Sequence, residues 1–388
     1  MYSLYIHIPF CRSRCSYCDF NTYAGQEGLI GRYVEALKEE LRRVAGAAPR
    51  ALPVHTVYFG GGTPSLLAAK QVAEVLETVA RRFSLAAGAE ISLEANPGTV
   101  SPRWLREIRA AGVNRLSLGM QSAHPADLRL LERDHDFFAV VEAVKAARSA
   151  GFRNLNLDLI FGIPHQTMER WQQTLNLALG LEPEHLSLYA LTLEHGTPLA
   201  HWVGRGLLPA PDADLAADMY EWADARLASA GFRQYEISNW AKEGFACRHN
   251  LQYWRSEPYL GFGAGAHGYA EHIRAVNVLT PAAYIRRMER ADREYEFPRS
   301  PANVQARRLS PREEMEEFMM MGLRLTEEGV SAEKFAARFG VSLENAFGEP
   351  IARLVGLGLL ERVGDRLRLT RRARLLGNVV FREFVGGA

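Results

Sequence analysis

Three cysteines fall within eight residues near the amino terminus, Cys11-Arg-Ser-Arg-Cys15-Ser-Tyr-Cys18, directly after the apolar run Leu4-Tyr-Ile-His-Ile-Pro-Phe10. Thiolates this close together at the end of a strand-like segment are soft metal ligands, and they favour an iron–sulfur cluster or zinc over a disulfide. Structural zinc is usually closed by four ligands in two separated pairs, and the only other cysteine, Cys247, is remote in sequence. Disulfide frameworks serve short, cysteine-rich chains, not one of 388 residues with four cysteines. The spacing therefore favours the cluster. A 4Fe-4S cube held by three thiolates keeps one iron free of protein ligands and open to a small molecule, which implies chemistry.

Other residues could join that chemistry. Gly60-Gly-Gly-Thr-Pro64 ends a strand with little side-chain bulk, so a ligand could approach its main-chain groups. It lacks the Lys of a P-loop and the third glycine of the dinucleotide fingerprint, and an ordinary turn fits it equally well. Glu94, in Ile91-Ser-Leu-Glu-Ala-Asn-Pro-Gly98, and Asp158, in Asn156-Leu-Asp-Leu-Ile-Phe-Gly162, are carboxylates in apolar strands. Each needs a hydroxyl, amine or Arg partner, which a structural pairing or a ligand could provide.

Farther along, Cys247-Arg-His-Asn-Leu-Gln-Tyr-Trp254 and Gly261-Phe-Gly-Ala-Gly-Ala-His-Gly268 read as loops. His249 is by residue type a candidate metal ligand, with the rings of Tyr253 and Trp254 beside it. By residue type alone, a structural role for His249 is the commoner case. Cys247 is a second candidate ligand or attachment thiol, set against the commoner buried, inert cysteine. His267 could face the cofactor mouth or serve the backbone, and His7 reads as support for the first strand.

The elements that must position these residues follow a β-then-α rhythm. Strands are expected at Leu4 to Ile8, Thr56 to Phe59, Glu90 to Ala95, Arg115 to Met120, Leu155 to Phe161 and His185 to Leu191. Helices are expected at Ile30 to Val44, Ala69 to Phe83, Pro102 to Ala111, Phe137 to Ala150 and Met168 to Leu181. Such alternation argues a parallel sheet with right-handed crossovers. The unusual polar residues cluster at the carboxyl ends of these strands, which in a β/α barrel gather around one mouth. Six strands would leave the barrel partly open, giving an α/β fold with a partial (βα)6 TIM-type barrel.

Beyond about Gly196 the rhythm changes, with a helical core face over Asp214 to Ala230. Ser310-Pro311-Arg-Glu313 supplies an N-cap, a first-turn Pro and a capping-box Glu before a helix reaching about Leu325. Helices at Ala332 to Phe339 and Pro350 to Leu357, a hairpin over Leu359 to Leu369 and a last helix capped by Thr370 resemble a winged-helix-like α+β domain. Three regions are expected: 1–205, a barrel; 206–300, an extension carrying the His249 stretch; and 301–388, the winged-helix-like domain.

Composition bounds the rest. Apolar residues make up 47%, and 46 basic against 45 acidic residues leave a net charge of +1. No global basic field recruits nucleic acid, and arginines 353, 362, 366, 368, 371, 372 and 374 are interrupted by acids. The start lacks a secretory signal, and no run of about 20 apolar residues appears. A soluble cytoplasmic protein is expected, with peripheral membrane association left open.

The cysteine triplet, Gly60-Gly-Gly-Thr-Pro64 and the strand rhythm resemble the radical S-adenosylmethionine (SAM) superfamily. Tyr5-Ile-His-Ile-Pro-Phe-Cys11, Leu93-Glu-Ala-Asn-Pro97, Leu118-Gly-Met-Gln-Ser122 and Asp158-Leu-Ile-Phe-Gly-Ile-Pro164 resemble, more narrowly, the oxygen-independent coproporphyrinogen III oxidase group over nearly the whole chain. Oxidases of that group carry a further cysteine two positions after the triplet, where this chain has Phe20, and they extend well upstream of the first strand. Cys18-Asp-Phe20, His249-Asn-Leu-Gln-Tyr-Trp254 and Gly265-Ala-His-Gly268 are instead similar to its haem-chaperone branch, whose proposed haem-binding motif is HNxxYW.

The resemblance implies that Cys11, Cys15 and Cys18 ligate a 4Fe-4S cluster and that Gly61, Gly62 and Thr63 hold the methionyl end of S-adenosylmethionine. It further implies that Tyr5 flanks cluster and cofactor, that Glu94, Gln121, Arg133, Asp158 and Ala190 contact S-adenosylmethionine, and that His249 is the haem candidate. The function implied is haem transfer to an acceptor protein, with an electron donor as a second partner and no nucleic acid. Whether the radical machinery turns over is left open. The alternatives are oxidative decarboxylation of coproporphyrinogen III and another radical SAM activity, such as RNA modification.

Overall fold

A computed structural model describes residues 1–292 and 294–386. Six parallel strands run in sequence order through it: β1 (Tyr2–Ile8), β2 (Pro53–Gly61), β3 (Ser84–Ala95), β4 (Arg115–Gln121), β5 (Leu155–Phe161) and β6 (His185–Ala190). Between them lie α1 (Ile30–Ala47), α2 (Ala69–Arg82), α3 (Pro102–Ala110), α4 (Phe137–Ser149) and α5 (Met168–Gly180). Each barrel strand alternates. Leu4, Ile6, Ile8, Val57, Phe59, Leu93, Leu116, Leu118, Leu157, Leu159, Leu186 and Leu188 belong to the apolar core. The intervening residues Tyr5, Tyr58, Glu94, Arg115, Ser117, Asn156, Asp158 and Ser187 line a central cavity. Period-two alternation therefore separates an apolar layer under the helices from a polar barrel interior.

The sheet is extended rather than closed. On one side β6 pairs antiparallel with β8 (Asn239–Ala241), and β8 with β7 (Arg233–Glu236). On the other, β9 (Tyr259–Phe262) lies parallel to β1 and is followed by antiparallel β10 (His267–Ala270), β11 (Ile273–Asn277) and β12 (Asn303–Arg308). The full order is β12-β11-β10-β9-β1-β2-β3-β4-β5-β6-β8-β7. The large sheet thus runs on past residue 300, and the separate C-terminal apolar core is built from such residues as Met319, Phe335, Phe347 and Leu354.

The helical face expected over Asp214 to Ala230 forms α6 (Ala213–Ser229). Two expected loops prove ordered. Arg248–Trp254 is a helix, α7. Its cap comes from far away in sequence: the Glu90 carboxylate on β3 accepts the N–H groups of Arg248 and His249, each at 3.1 Å. The glycine stretch forms the end of β9 and the start of β10, where a side chain on Gly261 would collide with the His267 carbonyl of the neighbouring strand.

The C-terminal core comprises α8 (Pro311–Gly322), α9 (Ala332–Phe339), α10 (Leu343–Gly356) and a sheet of β13 (Val330–Ser331), β15 (Arg366–Leu369) and β14 (Leu360–Val363). The capping box forms as expected: Glu313 N–H donates to Ser310 Oγ at 3.2 Å, and Ser310 N–H to Glu313 Oε2 at 2.8 Å. Helix α10 begins earlier than expected because Ser342 caps it through the Asn345 N–H, and it bends at Phe347, leaving Pro350 in the first turn after the bend. Thr370 does not cap a helix. Its hydroxyl donates to the Gly358 carbonyl at 2.8 Å, and a 3-10 turn, Arg371–Leu376, precedes a short helix, Gly377–Arg382.

The C-terminal arginines are engaged internally. Arg353 pairs with Glu383, Arg362 with Glu344, Arg368 with Glu361 and Arg371 with Asp224. Arg366 lies near Glu328 and Asp365, Arg374 bonds Gln234, and Arg372 bonds the Leu357 carbonyl. Among the described residues, no helix is long and apolar enough to cross a membrane.

Candidate functional site

Every residue the resemblance assigns to cluster, cofactor or haem lines one cavity of about 570 Å³ at the carboxyl end of the barrel: the three cysteines, Tyr5, Gly61, Gly62, Thr63, Glu94, Gln121, Arg133, Asp158, Ala190 and His249. The fold brings them together because, His249 on its helix apart, they stand on or after the six parallel strands.

The cysteines are free thiols at the cavity mouth. Burial raises the pKa of Cys11 and Cys18, so they need compensation to ionise. Each sulfur has a donor or hydroxyl beside it: Thr63 Oγ1 donates to Cys11 Sγ at 3.5 Å, Arg133 Nη1 to Cys15 Sγ at 3.4 Å, and Thr22 Oγ1 stands 3.9 Å from Cys18 Sγ. The loop between them is anchored by Ser16, whose hydroxyl donates to the Leu130 carbonyl at 2.7 Å and whose N–H donates to that of Leu131. Among the described residues, no three His, Cys, Asp or Glu side chains converge tightly enough for a single ion. A cube puts each thiolate on a different iron and needs them farther apart, so three soft sulfurs around an open mouth fit a cluster.

Tyr5 and His7 buttress this loop. His7 Nε2–H donates to the Asn21 carbonyl at 2.9 Å, which leaves Nδ1 to accept the Tyr5 hydroxyl at 2.9 Å. His7 thereby holds the cluster strand to the residues after Cys18, as expected for a supporting rather than a ligating histidine.

The glycine turn acts differently from the open approach expected of it. The N–H groups of Gly61, Gly62 and Thr63 are already donated, to Glu94 Oε2 at 3.0 Å, the Ile8 carbonyl at 2.8 Å and the Phe10 carbonyl at 2.8 Å. A side chain on Gly62 would lie 2.7 Å from the Phe10 carbonyl oxygen, and one on Gly61, where φ is +112°, would enter the His7 ring. The glycines let β2 pack against the cysteine segment. A ligand there is met by carbonyl oxygens and the Thr63 side chain, acceptors suited to an ammonium group.

Inside the mouth, two carboxylates face one another's field. Glu94 accepts the Tyr58 hydroxyl at 2.8 Å and the Gly61 N–H; burial first, then the charge of Asp158, pushes its pKa up to about 7. Asp158 accepts Ser117 Oγ at 2.9 Å and Asn156 Nδ2 at 2.8 Å, and burial raises its pKa. A cation between them relieves both penalties. Arg133 Nη2 donates to the Gly119 carbonyl at 3.1 Å, while its buried Nε has no partner among the described residues. Gln121 follows a register shift on β4 and adopts φ +62°, and Ala190 ends β6 at the rim. Acidic groups, carbonyls and Arg133 around one polar cavity fit a cofactor carrying ammonium, carboxylate and sulfonium groups.

His249 forms the floor. The Thr56 hydroxyl donates to Ser3 Oγ at 2.6 Å, so it accepts His249 Nδ1–H at 2.7 Å, and Nε2 accepts the Tyr253 hydroxyl at 2.9 Å. The ring stacks on Tyr58 at 5.0 Å between centroids. Burial lowers the His249 pKa to about 3, fixing a neutral imidazole. Cys247, also buried, has its thiol pushed up to about 12 by burial and donates to Glu90 Oε1 at 3.5 Å, the state of an inert thiol.

Sequence reasoning missed Tyr58, Ser117, Asn156 and Arg115. The signal was present as polar residues at inward positions of apolar strands. Arg115 is 2% exposed and its buried Nε has no hydrogen-bond partner among the described residues, so its guanidinium serves the cavity as a fixed positive charge.

Similarity to known proteins agrees with this geometry. Residues 5–178 match the radical SAM superfamily model, and residues 309–376 match the HemN C-terminal domain. The heme chaperone HemW of Mycobacterium tuberculosis is 42% identical, covering 99% of this chain and 95% of its own; that of Bacillus subtilis is 38% identical over the full length of both. The chain belongs to the HemW haem-chaperone family. The HemW of Escherichia coli is 37% identical over 99% of this chain and 98% of its own. Coproporphyrinogen III oxidase (HemN) of Escherichia coli shares the fold, with a TM-score of 0.82 at 24% identity over 98% of this chain and 89% of that one. Membership of this radical SAM family implies a 4Fe-4S cluster and S-adenosylmethionine, and the mouth of this barrel has residues that fit both.

Proposed function

We propose that this chain binds haem beside a radical SAM site and hands it to an acceptor protein. Full-length kinship with haem chaperones carries this reading, and Phe20, standing where the oxidases have their further cysteine, supports it at the cluster itself. In this proposal Cys11, Cys15 and Cys18 hold the cluster. Thr63 and Arg133 stabilise two of the thiolates, and Tyr5 with His7 holds the cysteine loop. Gly61, Gly62, Thr63, Glu94, Gln121, Arg133, Asp158 and Ala190 form the S-adenosylmethionine pocket, where ionised Glu94 and Asp158 balance the cofactor's positive charge. Bound together, cluster and cofactor supply a low-potential electron beside a sulfonium, which requires an electron-donor protein as a second partner.

His249 is the haem candidate by motif, yet its Nε2 lone pair is occupied by Tyr253. Ligation there requires displacing that hydroxyl from a buried floor, whereas Tyr253 and Trp254 need no rearrangement to present their rings. The test is anaerobically reconstituted protein titrated with haem and then mixed with a haem-free acceptor protein. Haem uptake and transfer without conversion of coproporphyrinogen III are expected; sustained decarboxylation would replace this reading with the oxidase.

A further inference from the structure

A second cavity, of about 520 Å³, adjoins the first and shares Tyr5, Asp19, Phe20 and Tyr253 with it. It opens between strands β9 and β10 of the large sheet and helices α8 and α9. Its volume lies within the usual range of about 300–1,000 Å³ for small-molecule sites. Aromatic rings form much of its wall, beside the carboxylates of Asp19, Glu257, Glu314 and Glu317. Phe20, 61% exposed on the loop after the last cluster cysteine, faces it together with Trp254, Tyr259 and Met321.

One histidine in this cleft is free to act as a ligand. His267 opens β10, and its side chain lines the cleft with no hydrogen-bond partner among the described residues. Partial burial of the ring and the nearby Arg274 charge lower its pKa, so it is a neutral imidazole with an available lone pair. His7, in the same cleft, and His249, in the barrel cavity, have both ring nitrogens engaged, and His272 is bonded to Glu314. Cations stand close by: Arg338 bonds only neutral acceptors, the Ser256 carbonyl at 2.8 Å and the Tyr269 hydroxyl at 3.1 Å, and Arg274 pairs with Glu317 at 2.6 Å.

We propose that haem sits in this cleft with His267 as its axial ligand and that the HNxxYW stretch contributes aromatic wall, through Tyr253 and Trp254, rather than the ligand. The inference rests on the haem-carrier reading above. A cleft walled by rings accepts a porphyrin plane, a free imidazole accepts its iron, and Arg338 pairs with a propionate. His249 then acts as a positioning residue, its Nε2 fixing the Tyr253 hydroxyl so that this ring stays between the two cavities.

The experiment titrates ferric haem into the cluster-reconstituted full chain and follows the Soret band and the ligand-field signature by electron paramagnetic resonance. The wild type, His267→Ala and His249→Gln are compared, with folding and cluster content matched by circular dichroism and iron analysis. His267→Ala is expected to weaken binding by at least about tenfold, to change the ligation signature and to regain it with free imidazole, while His249→Gln keeps the wild-type signature. An unchanged affinity and signature in His267→Ala, or loss of the signature in His249→Gln alone, would overturn the assignment. Absence of haem binding by the wild type would instead overturn the haem-carrier reading itself.

Discussion

The barrel cavity and the neighbouring cleft are nearly equal in volume, about 570 and 520 Å³, and share a wall through Tyr5 and Tyr253, yet their linings are wired differently. In the barrel, polar groups are tied to one another before any ligand arrives: Asp158 to Ser117 and Asn156, Glu94 to Tyr58 and the Gly61 N–H, Cys15 to Arg133. In the cleft, rings from the post-cluster loop, α7 and β9 meet Met321 of α8 only in the tertiary fold, and the His267 side chain has no hydrogen-bond partner among the described residues. A pre-wired polar site suits a resident charged cofactor, since its electrostatics cost no reorganisation on binding. A ring-walled slot built from separate segments suits cargo that must leave.

The strongest way to break this comparison is to remove one site and watch the other. Cys15→Ala is expected to abolish the cluster, read as iron and sulfide content and visible absorption, and to leave haem affinity within about threefold of wild type, the precision that separates independent sites from coupled ones. Haem affinity falling together with cluster content would merge the two cavities into one functional unit.

Gly61→Ala probes the pre-wiring next. Its φ of +112° strains any side chain, and the added Cβ must displace the His7 ring. A stability loss of about 4 kcal/mol is expected from strain and overpacking together, with poor cluster retention because His7 anchors Asn21. Gly88→Ala is the control, since φ there is +71° but nothing lies within 4 Å of the new Cβ. Its expected cost is about 1 kcal/mol. Equal urea midpoints for the two variants would show that φ alone, not the His7 contact, makes Gly61 necessary.

This contrast also explains what the sequence revealed. The barrel and the start of the C-terminal core were legible because their signals are local: alternating strands and amphipathic helices in the one and the Ser310 capping box in the other each lie within a few residues. The cysteine triplet and the carboxylates stood out as polar exceptions at strand ends. The α7 helix was not legible, because its N-terminal cap is Glu90, 158 residues earlier than Arg248. Strands β9 and β10 were hidden by glycines that look like a loop and in fact allow close strand approach. The cleft was invisible for the same reason as α7: no local pattern records that Phe20, Trp254 and Met321 meet.

The floor gives the next prediction. His249→Ala leaves Thr56 and Tyr253 without their partner and opens a cavity, for an expected loss of about 3 kcal/mol. The pH dependence has a definite sign. His249 titrates near its ordinary 6.5 when unfolded and at about 3 when folded, so its contribution is full above 6.5 and is lost as pH falls toward 3. His135, lowered to about 4 by burial and the Arg133 charge, acts in the same direction. Stability should therefore decline below pH 6.5, and His249→Ala should make that decline shallower. Urea melts from pH 7 to pH 4 measure both; an identical acid limb in the variant would mean that the ring is not held neutral in the folded protein.

The smallest expected effect, and the sharpest test of the polar cavity, comes from Glu94. Its pKa of about 7 means that, without cofactor, half of the protein carries a neutral Glu94 at neutral pH. A ligand bearing ammonium and sulfonium charges binds the ionised form better, so binding below pH 7 must expel a proton. S-adenosylmethionine affinity for the cluster-reconstituted protein should thus rise by about tenfold from pH 6 to pH 8. Glu94→Gln keeps a hydrogen-bonding oxygen for Tyr58 and Gly61 but cannot ionise, so its affinity should be weaker at pH 8 and nearly flat across that range. The cofactor-free protein responds in the opposite direction. The raised pKa makes ionised Glu94 a cost that grows in the folded state as pH climbs from 4.5 to 7, so Glu94→Gln should stabilise the cofactor-free protein at pH 8 and not at pH 4. Haem binding in the cleft should follow neither trend. A haem affinity that tracks the Glu94 titration would mean that charge in the barrel is felt across the Tyr5–Tyr253 wall, and that cofactor occupancy sets how tightly the cargo is held.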